Sequence, residues 1–409
     1  MNIVLEPGAA ALLDELHRAG FGAYAVGGCV RDSLLGLAPH DWDLCTAARP
    51  GQVMELFGED RCIPTGLQHG TVTVKRDGKL YEITTFRTEG RYSDGRPPDS
   101  VAFVPDLRED LARRDFTINA MAYSAEEGLC DPFGGREDLA RGVVRAVGEP
   151  LRRFGEDALR ILRLYRFAAR FGFAIDEATE AAAKQLASHL DCVSAERIEE
   201  ELNKLLAAPQ PGAYLEPEVL AFVLPELPPE ELTKARRRID ALPAGTEQVS
   251  ARWAALLLPL GETGARKALK RLKCSNARID GAAALVRECG EKTPDTLDKC
   301  DLCLQAKRLL GKYDLHTVQQ LTALWTALAP EEKASFDALR AEAEALTAQG
   351  VCCRISQLAV NGRDLMAAGA APGPGLRRVL EALLEEVITG RLPNEKTELL
   401  AFAAGFSAS

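Results

Sequence analysis

The sequence predicts an α/β N-terminal head built on a small mixed sheet, followed by all-α neck, body and tail segments. Three observations lead there. Residues 24–46, YAVGGCVRDSLLGLAPHDWDLCT, read as strand, glycine turn, helix, loop and second strand. Residues 71–86 alternate in the manner of a hairpin around Asp77-Gly78. From about residue 137 onward the pattern is helical almost throughout.

Taken in order, residues 6–20 predict an opening helix carrying Ala10, Leu12, Leu13 and Leu16, with a stop at Gly20. A strand over Tyr24–Val26 then meets the Gly27-Gly28 turn. A helix over about Val30–Leu35 follows, then a loop through Pro39 and a strand over Asp41–Leu44. Residues 46–57 predict a capped helix ending at Gly58. Pairing across the Asp77-Gly78 turn sets Val74 against Tyr81 and Val72 against Ile83 on a buried face. The same register sets Thr73 against Glu82 on the polar face, with Thr71 and Thr84 nearby. Residues 87–110 are polar, rich in Gly and Pro and aperiodic, a long loop of the kind that carries function. Residues 154–170 predict one helix on which Asp157 and Arg160 are i, i+3 neighbours, continued by Arg163 and Arg166. That row drifts about 60° per step at 3.6 residues per turn, so Arg166 faces away from Asp157.

Two features of residues 24–46 carry chemistry. Paired glycines between a strand and a helix let the backbone approach a ligand, with helix-start N–H groups aimed at an anion. Asp41 and Asp43, two apart on an extended segment, face the same way. Two carboxylates beside an anion site make sense when a divalent cation bridges them to a phosphate, because their like charges otherwise repel.

Composition bounds the rest. A chain of 409 residues exceeds one core, so two to four domains are expected. No run approaches the ~20 apolar residues of a membrane span, and the N-terminus lacks the basic start of a secretory signal. Eleven cysteines without framework spacing suit a reducing cytoplasm, where the protein is expected. Cys300 and Cys303 make a single CxxC, read as chance spacing. Five scattered histidines offer no metal cluster, and His40-Asp41 lacks the further histidines of an HD phosphohydrolase. A net charge of −10 argues against indiscriminate nucleic-acid binding. Local basic stretches exist nonetheless. Residues 152–170 hold six arginines against two acids, and residues 266–278 hold six basic residues and no acid. The second stretch is expected to lie along nucleic-acid phosphates, since no acid within it offers a partner.

GGCVRDSLLG followed by DWDLCT resembles the signature of the polymerase-β-type nucleotidyltransferases, specifically class II tRNA nucleotidyltransferases and bacterial poly(A) polymerases. YEITTFR at Glu82, RRDFTINA from Arg113, DPFGG from Asp131, EDxxRxxRxxR from Glu156 and AERIEEEL from Ala195 resemble the family's further motifs in order. The resemblance is specific over residues 24–206 and loose elsewhere. It implies a catalytic head over 1–136, a neck over 137–206, a body over 207–300 and a tRNA-binding tail over 301–409. It also implies untemplated addition of CCA to tRNA from CTP and ATP. Asp41 and Asp43 would hold Mg²⁺, with Glu82 as third carboxylate. Gly28, Arg31 and Arg114 would hold the nucleotide.

Asp157, Arg160, Arg163 and Arg166 would belong to the base-reading motif. Cytosine and adenine both present an amino donor beside a ring acceptor, whereas uracil and guanine present the reverse. A carboxylate beside a guanidinium therefore accepts C and A and leaves groups unpaired against U and G. A poly(A) polymerase, or an enzyme adding only the final A, shares these motifs. DPFGG, the acidic net charge and the absence of a long basic tail favour the CCA-adding reading. A CC-adding specialist is disfavoured by the loop at 87–110. A non-catalytic RNA-binding relative is disfavoured by the repelling carboxylates. No obligate protein partner is implied. The loop, with Gly90, Arg91, Asp94, Gly95, Arg96 and Asp99, is expected to serve the final A addition.

Overall fold

The computed structural model describes residues 3–89, 101–290, 302–373 and 375–406. The loop segment from Gly90 to Asp99 and the Cys300 half of the CxxC therefore lie outside the described residues. Contacts divide the chain into two compact units, Met1–Pro229 with Arg271–Lys273, and Glu230–Lys270 with Cys274–Ser409.

The first unit opens with α1 (Pro7–Arg18), β1 (Ala23–Val26), α2 (Gly28–Leu34), β2 (Leu44–Thr46) and α3 (Pro50–Phe57). Next come β3 (Cys62–Gly66), β4 (Thr71–Arg76) and β5 (Lys79–Thr85). The short pair β6 (Arg87–Glu89) and β7 (Val101–Phe103) follows, then α4 (Leu107–Ala112), β8 (Ala122–Ser124) and β9 (Gly128–Cys130). Seven strands form one mixed sheet in the order β3-β4-β5-β2-β1-β8-β9. Only β2 and β5 run parallel within it; the other neighbours are antiparallel.

The hairpin register is the one the alternation predicts: Val72 pairs with Ile83, Thr73 with Glu82 and Val74 with Tyr81. Asp77 and Gly78 both take left-handed φ, 50° and 76°, as a two-residue hairpin turn demands. Val72, Val74, Tyr81 and Ile83 are buried while Glu82 is exposed. The side chain of Tyr81 donates to Glu6 at 2.6 Å and that of Arg76 to Glu15 at 2.6 Å, tying the hairpin to α1 and its N-cap. On the other face Tyr24, Val26 and Cys45 form a core with Phe86, Leu107 and Leu111.

One expectation about the second strand is corrected. Asp41 and Asp43 precede β2 instead of belonging to it. The Asp43 carbonyl still accepts the Val26 N–H at 3.0 Å, so the ladder reaches its backbone, but Asp41 stands free of the sheet.

Helices α5 (Gly135–Arg141), α6 (Pro150–Glu156) and α7 (Leu159–Phe171) follow, with the short parallel pair β10 (Val143–Val144) and β11 (Ala174–Ile175). Next come α8 (Glu177–Gln185) and α9 (Ala195–Leu206), which packs on α7. The expected single helix over residues 154–170 is two helices. Asp157 is extended (φ −147°, ψ 106°), and its Oδ1 accepts the Leu159 N–H at 3.1 Å. An Asp is a poor interior helix residue and a good cap, and here capping α7 wins over continuing α6.

The second unit is helical among its described residues. Helices Val249–Leu257, Asn276–Gly290, Leu315–Leu328 and Lys333–Ala348 pack in succession around Trp253, Leu321, Leu324 and Phe336. Leu365, Leu383 and Leu399 centre a smaller core towards the end of the chain.

The basic stretch at 266–278 is not the unpartnered surface its composition suggests. Arg266 pairs with Glu262 and Asp280, Arg271 with Glu226, and Lys273 with Glu196. Every one of these acids lies outside the stretch, where a local count does not reach. Exposed pairs of this kind contribute about 0–1 kcal/mol each.

Asp131-Pro-Phe-Gly-Gly135 locks the sheet to the helices. Asp131 accepts the N–H groups of Gly135 and Arg136 at 2.7 and 2.9 Å. A Cβ on Gly135 would lie 2.2 Å from the Thr117 carbonyl oxygen, a backbone atom that cannot swing aside. Gly135→Ala is expected to lower stability by about 1–3 kcal/mol. The urea midpoint measures it, and an unchanged midpoint would show that residues 117 and 135 separate freely.

Candidate active site

The glycine turn between β1 and α2 needs glycine at position 27 for two reasons. Its φ is 77°, and a Cβ there would lie 2.9 Å from Arg114 Nη1. The Gly27 N–H donates to the Met121 carbonyl at 3.0 Å, and Gly28 opens α2 with no side-chain cap at Gly27. First-turn amides thus face outward without a partner from the cap.

Arg31 lies directly beneath, its Nη2 3.6 Å from where a Gly28 Cβ would be. It is only 4 % exposed, donating to Asp32 at 2.8 Å and to Asn119. Burial pushes its pKa down, and the adjacent Asp32 opposes that shift. Arg31 sets a positive charge under the turn, where the expected contact with a triphosphate stays a proposal. Arg114 reaches the turn as well. Asp110, fully buried at the end of α4, holds Arg114 at 3.4 Å and Arg113 at 2.9 Å. Arg114 Nε is buried without a hydrogen-bond partner, and the nearby carboxylates raise its pKa.

The carboxylates are brought together by strand register. In the parallel pair Leu44 sits beside Ile83 and Cys45 beside Thr84. One step back, the same register sets Asp43 beside Glu82, and alternation turns both to one face. The Asp43 carboxyl is pushed up, first by lost hydration, then by Glu82; Arg114 opposes the shift and Asp41 adds to it. Asp43 is nevertheless solvent-exposed. Exposure and dehydration are reconciled if the group sits in a concavity, open on one side and crowded on the others. Asp41 differs. Its carboxylate is 87 % exposed and lies 3.5 Å from His40 Nδ1. Among the described residues no three His, Cys, Asp or Glu side chains are already gathered as a metal-binding group. Asp43 and Glu82 are brought together by the ladder, and Asp41 adds its charge from the loop before it.

A pocket of about 260 Å³ is lined by Arg113, Arg114, Asp115, Asp157, Leu159, Arg160, Arg163 and Arg197; Arg114, which also acts on Asp43, is the link between the two. Asp157 and Arg160 share the pocket. Arg197 of α9 holds Asp157 at 2.8 Å. Arg160 donates to Glu156 at 3.0 Å and to the Arg113 carbonyl at 3.1 Å. Arg163 grips Asp115 through Nε and Nη2 at 2.8 and 2.6 Å, and Asp115 also accepts from Asn119 and the Phe116 N–H. These donors hold the Asp115 carboxyl well below the usual range, Arg163 first among them, against its burial. Arg166 does not line the pocket. It pairs with Glu201 at 2.9 Å, as the angular drift along α7 requires.

The sequence from 23 to 145 matches the model of the poly A polymerase head domain, and residues 245–403 match that of tRNA nucleotidyltransferase domain 2. A CCA-adding enzyme of Limosilactobacillus fermentum is 38 % identical over 408 residues, covering 96 % of this chain and 95 % of its own. One from Geobacillus stearothermophilus is 37 % identical over 402 residues, covering 96 % and 95 %. This chain belongs to the CCA-adding enzymes. The structure of the Bacillus stearothermophilus CCA-adding enzyme in complex with CTP superposes with a TM-score of 0.80 at 34 % identity, covering 99 % of this chain and 98 % of that one. The Thermotoga maritima CCA-adding enzyme shares the fold, at a TM-score of 0.67 and 22 % identity over 98 % and 96 % of the chains.

Membership of the CCA-adding family accounts for the order of the motifs, but not for three residues that sequence reading left aside. Arg197, Asp110 and Asp115 each hold a residue it had picked out. All three lie inside or close to quoted motifs; what was missing was the partner, 40 to 48 residues away for Asp157–Arg197 and Asp115–Arg163.

Asp115 is buried, so removing its partner strands a charge. Arg163→Met is expected to cost about 3–5 kcal/mol at pH 7. A depressed carboxyl pKa contributes stability that is complete above the unfolded value of about 3.9 and is lost as pH falls towards the folded one. The gap between wild type and variant should therefore hold from pH 7 to 5 and shrink towards pH 3. Urea midpoints across that range measure it, and a gap independent of pH would assign the cost to packing.

Proposed function

We propose that this protein rebuilds the 3′ end of tRNA without a nucleic-acid template, adding C, C and A from CTP and ATP and releasing pyrophosphate. The observation that carries the reading is the single pocket shared by Asp157 and Arg160, an acceptor and a donor, with Arg114 bridging from its wall to the glycine turn. On this reading the pocket takes a base edge and the turn takes phosphates, with Arg114 reaching both. Arg163 shapes the pocket through Asp115, and Arg166 supports it from behind.

Nucleotidyltransferases of this family generally use divalent metal ions, and hard carboxylate oxygens from Asp43, Glu82 and Asp41 suit Mg²⁺. When bound, Mg²⁺ supplies Lewis-acid stabilisation of charge on the attacking and leaving oxygens. The chain's own residues do the rest. Glu82, exposed beside Asp43, is placed to draw the proton from an RNA 3′-hydroxyl. Gly28, Arg31 and Arg114 hold the triphosphate, from which pyrophosphate departs. Asp157 accepts from the amino group of C or A while Arg160 donates to the neighbouring ring nitrogen, and U or G would leave both unpaired. We further assign the head to 1–136, the neck to 137–206, and tRNA contacts beyond the acceptor end to the body and tail, 207–300 and 301–409.

Incubating the protein with tRNA lacking its 3′ end, Mg²⁺ and each NTP separately tests the reading directly. CTP and ATP should be incorporated and UTP and GTP refused. Asp43→Ala is expected to reduce incorporation of both CTP and ATP by more than about 100-fold while tRNA binding stays near wild type. Activity within tenfold of wild type would move the metal site elsewhere.

Asp157→Ala is expected to let UTP gain on CTP by an amount worth about 1–3 kcal/mol. Because Asp157 also caps α7, Asp157→Asn serves as the control that keeps an acceptor for the Leu159 N–H. A uniform loss across all four nucleotides in both variants would make the residue structural.

A further inference from the structure

The link between the glycine turn and the base pocket is made by guanidinium groups stacked on two phenyl rings. The Arg31 guanidinium carbon lies 5.2 Å from the centre of the Phe167 ring and 4.9 Å from that of Phe171. Arg166 covers Phe167 at 4.0 Å and Arg163 approaches it at 5.5 Å, while Arg170 covers Phe171 at 4.9 Å. The two rings are parallel within 2°, with centroids 6.3 Å apart. Cations within about 6 Å of a ring face are attracted to it. Asp32 then closes the cluster, binding Arg31 at 2.7 Å and Arg170 at 3.1 Å. One end of this assembly is the residue under Gly28, and the other is the helix that bears Arg160 and Arg163.

Such a cluster is a costly way to pack two helices. Arg31 is depressed by burial and by the charge of Arg170, and Arg166 is pushed down to about 10 by burial. Leucine or methionine side chains would fill the space without gathering like charges, and buried ionic groups of this kind are retained where they fix one arrangement against others. We propose that Phe171 and Arg170 are positioning residues, holding α2 and α7 at one fixed separation so that the triphosphate and base subsites bind a nucleotide as a single rigid ligand. This rests on the nucleotide-binding reading above. Its physical consequence is specific. A molecule held at two points gains from the fixed distance between them, and a fragment held at one point does not.

The test compares CTP with inorganic tripolyphosphate, which spans the phosphate subsite alone, by calorimetric titration of the full chain. Phe171→Leu is expected to weaken CTP binding by about five- to tenfold while leaving tripolyphosphate within about twofold of wild type. The same variant should lower the CTP-over-UTP ratio in incorporation, and Phe171→Tyr, which restores a ring, should recover both. Arg170→Met, at a side chain 48 % exposed, threatens the fold less and should shift CTP in the same direction by about threefold. Equal weakening of CTP and tripolyphosphate would reduce the cluster to general scaffolding and overturn the proposal. So would unchanged CTP binding in both variants. A wild-type protein that bound tripolyphosphate but not CTP would instead remove the base subsite, and with it the reading on which this inference stands.

Discussion

The arrangement depends on one pairing, the parallel contact between β2 and β5. Every other neighbour in the seven-stranded sheet is antiparallel. That single pairing sets the residue before β2, Asp43, beside Glu82 at the middle of a hairpin strand. The two carboxylates repel, and Arg114 opposes the resulting shift at Asp43. Hydrophobic pairs elsewhere in the same ladder, Leu44 with Ile83 and Val72 with Ile83, fix the register tightly, since a slip of one residue would turn those side chains outward. The core thus holds in place a charge arrangement that alone would be unfavourable, as expected where a cation is part of the function.

How much of this was legible in the sequence depended on the distance over which information had to travel. The hairpin could be read residue by residue, because Asp77-Gly78 determines the turn and alternation determines the faces. The carboxylates could be picked out, but their meeting came from a parallel pairing between residues 44 and 83 that no local pattern encodes. Asp157 was misplaced because helical periodicity runs through residues 154–170 without interruption. The backbone breaks only because its side chain caps the next helix and finds Arg197. The basic stretch at 266–278 shows the same limit in reverse: a local count of its charges does not include Glu196, Glu226, Glu262 and Asp280, which come from elsewhere.

Arginine organises the site at two depths. Arg114 and Arg160 line the pocket, whereas Arg31 and Arg166 are not part of its lining. Each of the latter joins a carboxylate, Asp32 or Glu201, to a ring face, and Arg31 also joins the Asn119 amide, as the fork geometry of guanidinium allows. A lysine supplies the charge but none of that geometry. This explains how a chain with a net charge of −10 maintains a concentrated positive field where phosphate would arrive.

The base readers are all restrained from behind. Arg197 holds Asp157, Glu156 and the Arg113 carbonyl hold Arg160, and Asp115 holds Arg163. Readers fixed in this way would recognise the shared amino-donor and ring-acceptor edge of cytosine and adenine, identically for both. On the proposed reading they would refuse U and G, but they would not by themselves prefer C at one step and A at another. The two bases differ in ring size, so the preference must arise where the far side of the ring meets the enzyme or the growing RNA end. Selection of the edge and selection of the size are then separate physical tasks. A rigid, ion-paired pocket performs the first because rigidity makes an unpaired group costly. The second requires something that changes as the 3′ end grows, and a pocket built to stay fixed is unsuited to it.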